Sequence, residues 1–111
     1  MPAEQPLRLI GGSHIGPNRW FSWNFVWRTG FAELEVTADC IILFHGWYYL
    51  RFTKETLTRI EETNSGVRLF HNEDRYPKYV EFRKLNVPKL KRELGEMGWL
   101  VEIHEARTTE R

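Results

Sequence analysis

Hydrophobic and polar residues alternate along most of this chain with a period of two, which is typical of β-strands with one buried face. In segment 31–37, Leu34 and Val36 fall on one face, while Glu33 and Glu35 fall on the other. Further short segments of this kind occupy positions 40–45, 47–53, 56–62, 67–71 and 79–83, and turn-forming residues separate them. The pattern predicts a series of short antiparallel strands.

The N-terminal part of the chain carries two further β signals. An apolar stretch at 7–10 predicts a short strand, and the glycine-rich segment 11–18 predicts a flexible loop after it. In segment 19–28, the aromatic residues at 21, 23, 25 and 27 share one strand face. The tryptophans at 20, 23 and 27 also fit the spacing of a helix. The β-rich surroundings favour a strand.

Towards the C-terminus the period changes to that of a helix. Apolar residues at 87, 90, 94 and 97 form one stripe over about three turns. Asn86 is a suitable N-cap, Pro88 falls within the first turn, and Gly98 is suited to follow the last turn. Positions 99–103 are expected to form a final extended piece. The sequence therefore predicts a single domain, 1–111, that is mainly β with one C-terminal α-helix.

Four longer stretches combine these elements: FAELEVTADCIIL, YYLRFTKETLTRIEE, GVRLFHNEDRYPKYVEF and LKRELGEMGW. They resemble, in order, the opening strand pair, the next strand, two strands joined by a polar loop, and the closing helix of small bacterial pleckstrin-homology-like (PH-like) domains. The resemblance implies a small PH-like barrel of about seven antiparallel strands, with its PH-like core at residues 31–99 and an aromatic-rich extension at 1–30. Because PH-like barrels host phosphoinositide, peptide and self-association roles, the fold alone does not fix a function.

Charge balance and cysteine content narrow the possible partners. Sixteen basic and fifteen acidic residues give a net charge of +1, which argues against a nucleic-acid partner. The single cysteine, Cys40, excludes an internal disulfide. No apolar run approaches the roughly 18 residues that a membrane span requires. We therefore expect a cytoplasmic domain.

Most of the aromatic residues, including four of the five tryptophans, lie between positions 20 and 52. Such residues either enlarge a small core or anchor a binding surface. The later strands already supply many large core side chains, so we expect part of the segment to form a contact surface. Its candidate residues are Arg19, Trp20, Trp23, Trp27 and Arg28.

Three hypotheses follow from this aromatic segment. The favoured one is a non-catalytic module that binds a protein partner or a second copy of itself through these residues. The alternative is a peripheral membrane module, in which the tryptophans insert at the interface and the arginines meet lipid headgroups. In the third, the aromatic side chains only fill the core and the partner binds elsewhere.

A second candidate surface is basic. Lys84, Lys89, Lys91 and Arg92 form a candidate patch for an acidic headgroup or partner surface. The simpler interpretation is a solvated helix face balanced by the acidic residues at 93 and 96. Phosphoinositide-binding PH domains carry a basic cluster between their first two strands. The resemblance assigns that place to the short acidic turn at 38–39.

Residues suited to catalysis or metal binding are scattered. The histidines at 14, 45, 71 and 104 have no spacing that places two ligands on one side of an element. His71 precedes Glu73 and Asp74 in one loop, but a strand-end histidine before a solvated turn is the simpler interpretation. Cys40 opens an apolar strand, where a thiol is usually inert. The sequence predicts no enzyme, cofactor or metal site.

Overall fold

The computed structural model of the protein describes residues 5–16, 25–45 and 48–102, and at 25–31, 45 and 48 it describes the main chain. Within these ranges the chain is mainly β, with one helix near the C-terminus, as the sequence predicts. The elements are β1 Leu7–Ile15, β2 Phe25–Val36, β3 Cys40–His45, β4 Tyr48–Thr53, β5 Leu57–Glu62, β6 Gly66–His71, β7 Val80–Arg83, α1 Val87–Glu96 and β8 Val101–Glu102.

All eight described strands form one sheet in the order β4-β3-β2-β1-β7-β6-β5-β8. Neighbouring strands are antiparallel, except that β8 runs parallel to β5. The sheet is open, with β4 and β8 at its edges, so the closed barrel expected from the resemblance is not confirmed. The turn after β4 directs the chain into β5, which pairs with β6 and β8 and not with β4.

The core lies on the inner face of this sheet and under α1. The predicted alternation is confirmed from residue 32 of β2 onward, because inward positions whose side chains the structure describes are buried in each of these strands. They include Leu34, Val36, Ile41, Leu43, Phe52, Ile60, Leu69 and Phe82. The helix adds Leu90 and Leu94 from its apolar stripe. Large buried side chains of this kind each stabilise the fold by roughly 1.5–3 kcal/mol relative to exposure.

The N-terminal third differs most from the sequence prediction. The glycine-rich segment predicted as a loop continues β1, which extends to Ile15 and lies in the middle of the sheet between β2 and β7. A bulge interrupts the register between Gly11 and Ser13. A Cβ at Gly11 would overlap the main-chain oxygen of Arg83, so this glycine permits close strand packing. The expected boundary at residue 31 falls inside β2.

The predicted caps of α1 are confirmed. Asn86 is the N-cap in a left-handed conformation, and its side chain accepts a bond of 3.2 Å from the amide of Lys89. Pro88 occupies the first turn, and Gly98 has a positive φ of 95° just after the helix. The described part of the chain contains no helix long and apolar enough to cross a bilayer.

The acidic turn at 38–39 joins β2 to β3, and not the first two strands. The expectation that this turn replaces the basic cluster of phosphoinositide-binding PH domains is therefore wrong. The longer β1 shifts the strand numbering by one. Most of the connection between the first two strands, at 17–24, lies outside the described residues.

Candidate functional site

The predicted aromatic contact surface falls largely outside the described residues. Arg19, Trp20 and Trp23 are in the segment 17–24, which the structure does not describe. Trp27 and Arg28 belong to β2, where the main chain of Trp27 pairs with Ser13. Their side chains are also outside the description, so the tryptophan hypothesis stays a prediction.

The four residues of the predicted basic patch are distributed around α1. The ammonium of Lys84 donates a bond of 3.0 Å to the carbonyl of Ile10 on β1. Lys91 pairs with Glu62 on β5 at 3.1 Å. Lys89 and Arg92 are exposed on the helix. Because two of the four cationic side chains are held by different strands, the structure does not gather these residues into one binding site.

The loop after β6 is built around His71. Its Nδ1 accepts a bond of 3.0 Å from the amide of Glu73, so the proton lies on Nε2, which donates to the carbonyl of Pro77 at 2.7 Å. Both ring nitrogens are occupied by the loop itself. No cluster of three metal-binding side chains occurs within the described ranges. His71 therefore shapes the loop between β6 and β7.

The outer face of strands β1–β4, opposite the core, presents two transverse rows of side chains. Pairing of the strands places Tyr49, Phe44, Glu33 and Ile10 in one row and Arg51, Ile42, Glu35 and Arg8 in the next. We call these eight residues the β1–β4 face. Each row crosses all four strands in the order β4, β3, β2, β1. Side chains adjacent in a row are close enough to contact one another.

The β1–β4 face exposes large apolar side chains. Ile10 is 50% and Tyr49 is 56% accessible. The Tyr49 ring lies 5.8 Å from that of Phe44, in a tilted arrangement, and Ile42 on the same strand as Phe44 is also only partly buried. Tyr49 is the direct neighbour of Phe44, and Ile10 lies in the same row beyond Glu33. Exposed apolar side chains grouped on one sheet face are typical of partner contacts.

The charges on the β1–β4 face are distributed unevenly about β3. The exposed Arg8 and the partly buried Glu33 form an ion pair of 3.8 Å. Glu35 and Arg51 flank Ile42 on opposite sides in the same row. Across the described ranges, neither of these two side chains takes part in an ion pair. Besides the Arg8–Glu33 pair, the face therefore presents the cation of Arg51 on β4 and the anion of Glu35 on β2, with the apolar side chains of β3 between them.

The free edge of β4 is partly covered. The main-chain amide of Arg51 donates to the hydroxyl of Tyr76 at 3.2 Å, and the amide of Thr53 donates to the hydroxyl of Thr56 at 2.8 Å. The Tyr76 ring also packs edge-on against Phe52, with centroids 5.5 Å apart. Two side-chain hydroxyls thus bond the main-chain amides of this edge that could otherwise pair with another strand.

A second cluster, which the sequence analysis missed, lies on the outer face of β5–β7 around Glu81. Oε2 of this buried carboxylate accepts bonds of 2.7 Å from Thr63 and 3.1 Å from Ser65. Oε1 accepts bonds of 3.2 Å from both Tyr79 and Arg83. Four donors fill the acceptor positions of the carboxylate, so Glu81 holds together the side chains that surround it.

Burial and hydrogen bonding act in opposite directions on Glu81. Burial tends to raise its pKa, but the bonds from Thr63 and Ser65 and the charge of Arg83 outweigh it, so the pKa is lower than its ordinary value. The pKa of Tyr79 is raised, first by burial and then by the negative charge of Glu81 beside it. Glu81 is therefore held as the anion and Tyr79 as the neutral phenol.

Arginine and aromatic side chains stack beside this cluster. The guanidinium of Arg68 lies 4.2 Å from the Phe70 ring centroid and 4.5 Å from that of Tyr79. Arg59 lies 4.4 Å from the Phe70 centroid and pairs with Glu61 at 2.8 Å. Within the described ranges, Nε of Arg68 is the one buried side-chain nitrogen or oxygen without a hydrogen-bond partner. These contacts stabilise the outer surface of the second half of the sheet.

Comparisons with protein-family models, with curated proteins and with solved structures gave no match for this chain. The candidate site therefore depends on its own geometry. Only the strand register reveals the β1–β4 face, because the continuous apolar run of β3 does not show which of its residues point outward.

Proposed function

We propose that the protein is a non-catalytic interaction module that binds another protein chain through the β1–β4 face. The observation that carries this proposal is the exposure of Ile10 and Tyr49 in one row with the partly buried Phe44. Tyrosine, phenylalanine and arginine are enriched where proteins meet. The saturated hydrogen bonding of Glu81 and His71 supports a module without catalysis, because neither group has a free position for a substrate.

The proposal includes a PH-like architecture. Seven strands in antiparallel pairing, followed by a helix that buries Leu90 and Leu94, support it. Side-chain hydrogen bonds connect parts of the sheet that no strand pairing joins. The Tyr76 hydroxyl accepts a bond from the edge of β4, and the Trp99 indole donates one to the carbonyl of Thr37 in the turn after β2. The β1–β4 face would then be the outer surface of one half of a small barrel.

A protein partner fits the β1–β4 face better than a lipid surface does. The face carries Glu33 and Glu35 at its centre together with Arg8 and Arg51, so it has no net positive charge. Anionic membranes attract clusters of basic residues and repel carboxylates. The membrane hypothesis depends instead on Trp20, Trp23 and Trp27, and a separate arm of the experiment tests it.

A photo-crosslinking amino acid with a benzophenone side chain, placed at Tyr49, tests the proposal in cells that produce the protein. The matched control carries the same group at Lys89, which is exposed on α1. We expect covalent protein adducts from position 49 and none of the same mass from position 89. Equal adducts at both positions, or none at 49, would contradict the proposal.

Cosedimentation with vesicles of phosphatidylcholine and phosphatidylserine tests the alternative. Binding at physiological salt that is lost on Trp20→Ala or Trp23→Ala, together with an absence of protein adducts at position 49, would establish the peripheral membrane function instead. We expect no such binding.

A further inference from the structure

We infer that the chain bound to the β1–β4 face is a second copy of the protein, packed face to face about a two-fold axis that runs along β3. This inference rests on the proposed function and adds the identity and orientation of the partner. The order of the side chains across the strands of the face determines this orientation.

On the β1–β4 face, the outward side chains of β3 are apolar. Its outward residues Ile42 and Phe44 are flanked by β4 on one side and β2 on the other. In the row of Ile42, the β4 neighbour is Arg51 and the β2 neighbour is Glu35. Strands lie about 4.8 Å apart, so these two opposite charges are roughly 10 Å from each other across Ile42.

A two-fold axis along β3 exchanges the two flanking strands while it keeps each row level. β4 of one copy then lies over β2 of the other, and Arg51 faces Glu35 of the second copy. The same operation places Glu35 against Arg51 of the second copy, because a two-fold interface repeats every contact. Two side chains without an ion pair in the described part of one chain thus become two ion pairs in the dimer.

The neighbouring row is also compatible with this axis. Tyr49 faces Glu33 of the second copy and can donate its hydroxyl to that carboxylate. Ile42 and Phe44 meet their own copies at the centre, where an apolar core is typical of homodimers. Two sheets pack about 10 Å apart, a separation that pairs of arginine and glutamate side chains can span.

An axis across the strands gives a worse arrangement. It would exchange the two rows within each strand and place Glu33 against Glu35 of the second copy. Like charges in direct opposition across an interface are unfavourable. The distribution of charges about β3 therefore selects the axis along the strand.

The dimer is expected to be weak. The axis along β3 lays β2, β3 and β4 of the two copies over one another, and β1 with Ile10 extends past β4 of the second copy. Three strands span roughly 10 Å between the outermost strand axes, and an interface of this width belongs to the small class that buries less than about 1,200 Å² in total. Analytical ultracentrifugation up to millimolar concentration is therefore the suitable measurement.

Charge exchange tests the inference. Arg51→Glu alone and Glu35→Arg alone each place like charges opposite one another twice in the homodimer, so each variant should dimerise at least roughly tenfold more weakly than the wild type. An equimolar mixture of the two variants pairs glutamate 51 with arginine 35 and the native Glu35 with the native Arg51. This mixture should recover dimers.

Arg92→Glu and Glu96→Arg are the matched controls, since they make the same charge changes at exposed positions of α1. They should dimerise as the wild type does. Circular dichroism of every variant checks that the fold is kept. A wild type that stays monomeric, a single variant that dimerises normally, or a mixture that stays monomeric would each overturn the inference. In any of these cases, Tyr49 adducts to a different protein would leave the proposed function standing.

Discussion

The indole Nε1 of Trp99 donates a hydrogen bond of 2.7 Å to the main-chain carbonyl of Thr37. This bond joins Trp99, three residues after the end of α1, to the turn between β2 and β3. Lys54, in the turn between β4 and β5, lies 3.8 Å from the centroid of the Trp99 ring and donates a bond of 2.8 Å to the carbonyl of Gly98. The end of the helix is therefore anchored to two turns of the sheet.

Trp99→Phe should destabilise the protein by about 1–3 kcal/mol, because it leaves the carbonyl of Thr37 without its indole donor while an aromatic ring is retained. Urea unfolding followed by circular dichroism measures the effect. Leu100→Ala is the control, since that side chain is 78% exposed and should change the free energy of unfolding by less than about 0.5 kcal/mol. Equal stability of Trp99→Phe and the wild type would show that the bond contributes nothing.

Leu94→Ala tests whether α1 docks on the sheet. Leu94 is fully buried, so its truncation should cost about 2–5 kcal/mol through lost burial and a residual cavity. Leu85→Ala makes the same change at a side chain that is 86% exposed and should unfold near the wild-type midpoint. The docked helix is wrong if the two variants unfold at the same urea concentration.

Tyr76→Phe removes the hydroxyl that accepts the amide of Arg51 at the edge of β4, while the ring remains against Phe52. The amide of Arg51 should exchange its hydrogen faster in this variant, and the loss of stability should be about 0.5–1.5 kcal/mol. Amides of β4 that pair with β3 serve as the internal control. Unchanged exchange at Arg51 would mean that the loop does not protect this edge.

Local patterns in the sequence predict much of this fold because they reflect local physics. The alternation of Glu33, Leu34, Glu35 and Val36 predicts both faces of this end of β2 correctly, and Asn86 predicts the start of the helix. Such signals depend on neighbours within a few residues. The caps and the core positions could therefore be read without the structure.

Features that depend on distant segments could not be predicted in this way. Glu81, between Val80 and Phe82, has the sequence pattern of an ordinary outward residue. Its burial arises from Thr63 and Ser65, which arrive from another turn. The openness of the sheet and the β1–β4 face likewise depend on which strands pair, and residue types alone do not determine that register.

Glu81→Gln should alter how stability responds to acid. The pKa of Glu81 in the folded protein lies below its ordinary value of 4.5, so the unfolded chain binds the proton first as the pH falls. The charged form therefore stabilises the fold fully above that value, and this contribution is lost as the pH drops through the folded pKa. The wild type should exceed Glu81→Gln in free energy of unfolding at neutral pH, and the difference should shrink in acid. A difference that is constant with pH would contradict the assignment.

Alanine at two glycines should have opposite effects, because only one of the two positions has room for a Cβ. At Gly66 the new carbon would overlap the main-chain oxygen of Phe82 on the neighbouring strand, whereas nothing lies within 4 Å at Gly95. Gly66→Ala should lose several kcal/mol, because main-chain atoms cannot move aside without breaking the pairing of β6 with β7. Gly95→Ala should gain about 0.5–1 kcal/mol, since alanine is the better residue inside a helix. Urea midpoints of the two variants, measured side by side with the wild type, check both signs. Similar midpoints for both would show that β6 and β7 approach each other less closely at Gly66 than the structure places them.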